Sequence, residues 1–320
     1  MGEALQELKL ARYAMGTRFE AVLFGHRGAE LRAAGEAALD EISHLSAQLD
    51  LFRPDSFLSF LNREAHGKAV RLDPDLYELI EDCLEVSLRS GGAFDLTVGP
   101  LMKAWGFHDE APGRPVEAAR RAALESVGWE AVLLEPEGLK VHYARPGMRL
   151  DFGGVAKGFA LDRAVCILEE AGVQAGLLHG GTSTVKAFGA PPGGKPWKVG
   201  IEHPLQAGKL VKQARLENFA LSVSAPRGRA FEQEGRSFGH VMDPRAGAPQ
   251  QAALLCAVAA ESAARADAWS TALLVGGETL LDEAEDLQVF LCVNEKEGEG
   301  AFVSSPRCDV FEDPADGSME

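Results

Sequence analysis

The sequence predicts an α+β fold of mixed helices and largely antiparallel sheets. Three observations predict it: helical apolar periods recur along the chain, short alternating runs stand between them, and regular βαβ alternation is missing. Residues 30–49 and 74–90 read as the first helices. In the second, Leu76, Leu79, Ile80, Cys83, Val86 and Ser87 recur at three- and four-residue spacing, and Gly91 with Gly92 supplies the stop. A third helical run, 116–127, leads into AVLLE and LKVHYA, which alternate and turn as a hairpin around Glu137-Gly138. Residues 157–171 are helical again, with Ala160, Ala164, Ile167, Leu168 and Ala171 on one stripe and Gly172 as the stop. Strand-like runs then dominate: GLLHGG, STVKAFG, WKVGIE, ARLENFALSVS and SFGHVMD. A last helix over 262–275 ends at Gly276-Gly277, before the strand-like VFLCV and an acidic tail.

The chain has 320 residues, 46% hydrophobic and 25% charged, enough apolar material for a sizeable core. Its formal charge of −16 excludes a surface that tracks nucleic-acid phosphates, so a polyanion would have to enter at one local site. In a chain this acidic, a metal ion or a helix N-terminus is the natural way to admit a negatively charged small ligand. The N-terminus lacks a basic start and an apolar h-region, and the longest apolar stretch, 252–260, is far short of a bilayer span, so no transmembrane segment and a cytoplasmic location are expected. Five widely spaced cysteines without a CxxC or zinc spacing read as small buried hydrophobes.

Standard nucleotide motifs are absent: no GxGxxG opens a helix, and Lys157 is followed by Gly158 rather than by a P-loop hydroxyl. Gly235-Arg236-Ser237-Phe238-Gly239 fits the GxSxG nucleophile elbow in form. Its context does not fit, since HVMDPRAG follows where an elbow needs a helix.

Three constellations carry chemistry. Asp151-Phe152-Gly153-Gly154-Val155-Ala156-Lys157-Gly158 sits at a strand-to-helix junction, where close backbone approach, N–H groups at the helix start and Lys157 suit phosphate. The same glycines equally suit a tight turn that packs a helix on a sheet. In the last helix, Asp267 and Thr271 are four apart and lie on one face among alanines, presenting two hard oxygens. The alternative is a helix-start charge and a threonine bonded back to its own turn. Third, His240 precedes the turn Met242-Asp243-Pro244-Arg245, where it can act as a base near neutral pH or serve structure. Aromatic segments at Phe52, at Ala93-Phe94-Asp95 and at Trp105-Gly106-Phe107 can line a flat-ring pocket or belong to the core.

Read in order, these segments resemble the ApbE family, the magnesium-dependent FAD:protein FMN transferases. Met15-Gly16-Thr17 is similar to that family's MGT motif, Gly92 to Pro100 to its GxFDxTVGPL block, and DFGGVAKGFALD at 151–162 to its DLGGIAKGYAVD signature. Phe52 to Asn62, Gly180-Gly181 with Gly189, the HVMDPRAG run and the ADAWSTAL helix match four further blocks, so seven blocks are colinear.

The resemblance implies an ApbE-like fold of two intimately packed subdomains: an extension at 1–14, one FAD-binding catalytic domain at 15–293 and an acidic tail at 294–320. It implies transfer of FMN from FAD to a Ser or Thr of an acceptor protein with release of AMP; the alternatives are an FAD pyrophosphatase and a non-catalytic FAD-binding protein. Mg²⁺ would be held by Asp267, Thr271 and a main-chain oxygen of Gly154. Lys157 would hold phosphate. Met15, Phe52, Ala93, Phe94, Asp95 and Asp151 would contact the rest of FAD, with His240 as the base beside it. Catalytic roles thus fall to His240, Asp267 and Thr271. Thr182 departs from the family's usual Asp, Ala246 from its Thr and Phe52 from its frequent Tyr. Family members are often exported and membrane-anchored.

Overall fold

The computed structural model describes residues 5–109, 111–226, 230–294 and 300–314. It opens with a hairpin, β1 (Gln6–Ala14) and β2 (Thr17–Gly25), closed by Met15-Gly16. Both turn residues have positive φ, 49° and 71°, as a two-residue hairpin turn demands. Met15 therefore carries a side chain in a conformation that Gly16 adopts freely.

Helix α1 (Gly28–Gln48) buries Leu31, Ala34, Ala38, Leu39, Ile42 and Leu45, one stripe at helical spacing. The Ser56 hydroxyl caps α2 (Phe57–Glu64) by accepting from the Ser59 amide at 3.0 Å. After β3 (Val70–Arg71) comes α3 (Pro74–Arg89), started by Asp73, whose carboxylate accepts from the Leu76 amide at 2.9 Å, and by Pro74 in the first turn. Two short helices, α4 (Gly99–Ala104) and α5 (Glu117–Glu125), precede the hairpin of β4 (Val132–Glu135) and β5 (Lys140–Tyr143). The glycine turn leads into α6 (Ala156–Glu170). A run of strands follows: β6 (Ala175–Gly180), β7 (Thr184–Phe188), β8 (Trp197–Glu202), β9 (Leu210–Leu216) and β10 (Ala220–Ser224). Next are β11 (Ala230–Gln233), β12 (Arg236–Gly239), β13 (Met242–Asp243), β14 (Ala248–Pro249) and β15 (Ala253–Ala260). Helix α7 (Ala263–Gly276) then precedes β16 (Gln288–Asn294), β17 (Gly300–Ser304) and β18 (Phe311–Glu312).

The class is α+β, as expected. The main sheet has the order β1-β2-β6-β7-β10-β15-β16-β17, and every neighbouring pair is antiparallel. One of its interior strands is β15, where Cys256, Val258 and Ala260 join one core and Leu255, Ala257 and Ala259 the other. Alternation with both faces buried is why this strand reads as an unbroken apolar run. Residues of α1, α6 and α7 share the first core; β8, β9 and β18, a small sheet of their own, contribute to the second.

Residues 6–14, read as an extension, are the edge strand β1, and residues 300–304 and 311–312, read as part of a tail, are β17 and β18. Sheet pairing recruits them, and such pairing leaves little trace in an edge strand exposed along most of its length.

Helices α6 and α7 are docked at one close approach. A Cβ on Gly158 would lie 2.2 Å from the Ala263 carbonyl oxygen and 2.6 Å from the Ala264 nitrogen, so the two backbones touch there. One turn later the Asp162 carboxylate accepts from the Ala263 and Ala264 amides and the Ser262 hydroxyl, each at 2.9 Å, capping α7 from outside. Two grips four residues apart on α6 thus fix the register of α7.

Candidate active site

A cavity of about 1360 Å³ opens between the glycine turn, the start of α6, the middle of α7 and the segments around Phe52, Phe94 and His240. Its wall includes Met15, Phe52, Ala93, Phe94, Asp95, Asp151, Gly154, Lys157, His240, Asp267 and Thr271. The fold therefore brings together the residues to which the resemblance gives a site role, across more than 250 positions of chain.

Asp267 is the most constrained of them. It is 4% exposed, its Oδ1 accepts from the Thr184 hydroxyl at 2.8 Å, and its Oδ2 accepts from the Gly158 amide at 2.8 Å. Burial pushes its pKa up, opposed by the nearby Lys157 ammonium and by hydrogen bonds from Ser222, Thr184 and Gly158. A chain of hydroxyls backs it: Ser270 Oγ lies 2.9 Å from Ser222 Oγ and 2.7 Å from Ser224 Oγ, and donates to the Asp267 carbonyl at 3.0 Å. The Thr271 hydroxyl makes no hydrogen bond among the described residues. It lies 3.6 Å from where a Cβ on Gly154 would be, which puts it against the glycine turn.

This donor set suits a hard cation. Asp267 is a carboxylate that accepts from Gly158, Thr184 and Ser222 with room for a further partner, Thr271 offers a hydroxyl, and the Gly154 turn packs beside that hydroxyl. Among the described residues, no three His, Cys, Asp or Glu side chains gather into a metal cluster.

The helix start offers fewer free amides than its sequence implies. Gly153 N–H donates to Asp151 Oδ1 at 2.8 Å, Val155 and Ala156 N–H to the Phe152 carbonyl at 2.9 and 2.8 Å, and Gly158 N–H to Asp267. Positive potential toward the cavity comes instead from the Lys157 side chain and the helix dipole.

Asp95, an expected contact, and two neighbouring polar residues are already committed to the fold. Asp95 is buried; its Oδ1 accepts from the Thr97 amide and hydroxyl at 2.7 Å and its Oδ2 from the Trp129 amide at 3.0 Å. Its carboxylate holds the Phe94 turn in place. Arg245 forks onto Asp243, with Nε to Oδ1 2.9 Å and Nη2 to Oδ2 3.1 Å, and is not on the cavity wall. Asn62 pins the irregular segment before the glycine turn, accepting from the Leu150 amide at 2.8 Å and donating to the Leu150 carbonyl at 3.0 Å.

Ser237 lies on β12, opposite Glu232, with a turn and β13 after it instead of a helix. It is exposed and is not on the cavity wall. Ser237→Ala is expected to keep wild-type activity in an acceptor-labelling assay; loss of activity would restore the hydrolase-type nucleophile.

The sequence reading missed several residues of the site: Ser222 is on the cavity wall, while Thr184 and Ser270 join it through their hydrogen bonds to Asp267. Thr184, Ser222 and Ser270 are 83, 45 and 3 positions from Asp267, and only Ser270 has a local signal, its place on α7. Glu202, His203 and Pro204, at the end of β8, also reach the wall. His108 does as well, and sits beside the recognised Trp105-Gly106-Phe107 segment.

The ApbE family profile matches residues 15–291. An FAD:protein FMN transferase of Rhodobacter capsulatus is 30% identical over 267 residues, covering 83% of this chain and 51% of that protein, so the chain spans about half that relative's length. The Haemophilus influenzae FAD:protein FMN transferase is 29% identical over 308 residues, covering 91% and 88%. Among solved structures, the ApbE protein from Thermotoga maritima superposes with a TM-score of 0.85 at 27% identity, covering 94% of this chain and 97% of that one. Apo Pseudomonas stutzeri flavinyl transferase ApbE gives 0.81 at 30% identity, covering 94% and 95%.

Proposed function

The chain belongs to the ApbE family, and from that premise we propose that it transfers FMN from FAD to a Ser or Thr side chain of an acceptor protein, releasing AMP. The observation that carries the reading is the wall where Asp267, Thr271, Gly154 and Lys157 meet in one large cavity. Oxygen donors for a hard cation and a cation for phosphate stand side by side, as cleavage of a pyrophosphate requires.

Asp267, Thr271 and the Gly154 carbonyl would hold Mg²⁺. When bound, that ion supplies neutralisation of the negative charge of the pyrophosphate. Lys157 binds phosphate oxygen and orients it toward the acceptor. The aromatic surfaces of Phe52 and Phe94, with Met15 and Ala93, line the space for the rings and exclude water. Asp95 fixes the turn that carries Phe94, and Asp151 fixes the glycine turn.

His240 takes the proton from the acceptor hydroxyl as its oxygen forms the new bond to the FMN phosphorus. The bond from that phosphorus to the bridging oxygen breaks, and AMP leaves with the electron pair. Geometry and charge carry most of the effect in such a transfer, and the base contributes less.

Incubation with FAD, Mg²⁺ and an acceptor domain tests this. A flavin-fluorescent acceptor band on a denaturing gel is expected, lost with EDTA and restored by added Mg²⁺. Unlabelled acceptor with free FMN would mean a pyrophosphatase, and unchanged FAD a binding protein; labelling that persists in EDTA would remove the metal from the account.

A further inference from the structure

We infer that His108 is a ring-binding residue of this cavity, forming with Phe52 a right-angled aromatic corner that receives a planar heteroaromatic ring of the dinucleotide. The inference rests on the proposed use of FAD. It assigns His108 the contact expected of Asp151, and makes Asp151 the residue that positions it.

Asp151 has little freedom to reach a ligand. Its Oδ1 accepts from the Gly153 amide at 2.8 Å, and its Oδ2 lies 2.8 Å from His108 Nε2. Turning toward a ligand would release the glycine turn, the imidazole or both. The side chains of His108 and Asp151 are each only 14% exposed, so the pair is held in a partly dry site where an ion pair or charge-assisted hydrogen bond is strengthened.

The imidazole is held from three directions. Asp151 fixes one ring nitrogen. The backbone before it is anchored, since Trp105 and Phe107 are each 2% exposed, the Trp105 indole donates to the Gly247 carbonyl at 3.0 Å, and the Asp109 amide closes the turn onto Gly106 at 3.0 Å. Phe52 then meets the ring edge to face, at 5.7 Å between centroids and 88° between planes.

Phe52 is 62% exposed on this wall, so its ring keeps one of its faces open to a ligand. Two aromatic planes at right angles offer a stacking surface and an edge contact at once, the arrangement that aromatic rings prefer. With the carboxylate accepting, the Nε2 position carries the proton. In the neutral tautomer Nδ1 is then an acceptor, and it has no partner among the described residues. An exocyclic amine or ring N–H can donate to it, and adenine and isoalloxazine both carry one.

Titrations of FAD, FMN and ADP against wild type, His108→Ala and His108→Phe test the inference. FMN carries the isoalloxazine alone and ADP the adenine alone, so the half whose affinity falls identifies the ring. His108→Ala is expected to weaken FAD binding about tenfold and to raise KM for FAD in step, with kcat changed by less than about twofold. His108→Phe, which keeps a stacking face, is expected to recover part of that loss. A residue with only a structural role would lower the melting temperature without this split between KM and kcat.

Unchanged affinity for all three ligands in His108→Ala overturns the inference. Wild type that binds FAD but leaves the acceptor unlabelled ends the transfer proposal, while the same titrations still decide the role of His108. Wild type that binds no FAD overturns both.

Discussion

Asp267→Ala is expected to lower FMN transfer about a thousandfold or more, the scale of losing a group that organises transition-state charge. The carboxylate is buried at the meeting point of α6, β7 and α7, and burial makes its charge costly unless a cation answers it. Alanine also leaves the Thr184 hydroxyl and the Gly158 amide without their acceptor, at about 1–3 kcal/mol for each group left unpaired. Asp267→Asn separates the two effects. Its amide oxygen can still accept a hydrogen bond, so it should stay folded, with a melting temperature near wild type, and still lose transfer. Wild-type turnover in the Asn variant at ordinary Mg²⁺ would sink the metal assignment.

Gly158→Ala should be the most destabilising small substitution in the site, by about 3 kcal/mol as read from the urea midpoint. The added methyl would sit 2.2 and 2.4 Å from the carbonyl oxygen and carbon of Ala263, and both are backbone atoms in a capped helix start that cannot step aside. Forcing α6 from α7 also pulls the Gly158 amide from Asp267. Gly154→Ala is the contrast. Its Cβ would meet Phe94 at 3.4 Å and the Thr271 hydroxyl at 3.6 Å, contacts close to ordinary packing, so it should fold while losing activity through the cavity wall. A wild-type midpoint for Gly158→Ala would mean that the two helices are not held together there.

The parts of this arrangement that sequence made legible are those with local period. Helices α1, α3, α6 and α7 announce themselves through three- and four-residue spacing, and Asp267 with Thr271 through the same rule. Helix α2, eight residues long, is too short to show a period, and β15 is an apolar run that pattern alone cannot tell from a buried helix segment. Strand β1 hides for the opposite reason, being exposed along most of its length.

Within the site, sequence identified which side chains gather and missed what each is already bonded to. Asp95 reads as a ligand contact until Thr97 and Trp129 are seen to occupy its carboxylate. Asp151 reads likewise until His108, 43 positions away, is found against it. Free amides at the glycine turn are counted correctly only when Phe152, Asp151 and Asp267 are in place as acceptors. Long-range hydrogen bonds have no signature in spacing, and they decide which polar atoms remain for a substrate.

The most direct test of the account is the balance between AMP released and flavin made covalent with the acceptor, measured together in one reaction with FAD and Mg²⁺. Transfer through this site predicts equimolar AMP and acceptor-bound flavin with no free FMN. AMP matched by free FMN, with the acceptor unlabelled, would contradict it.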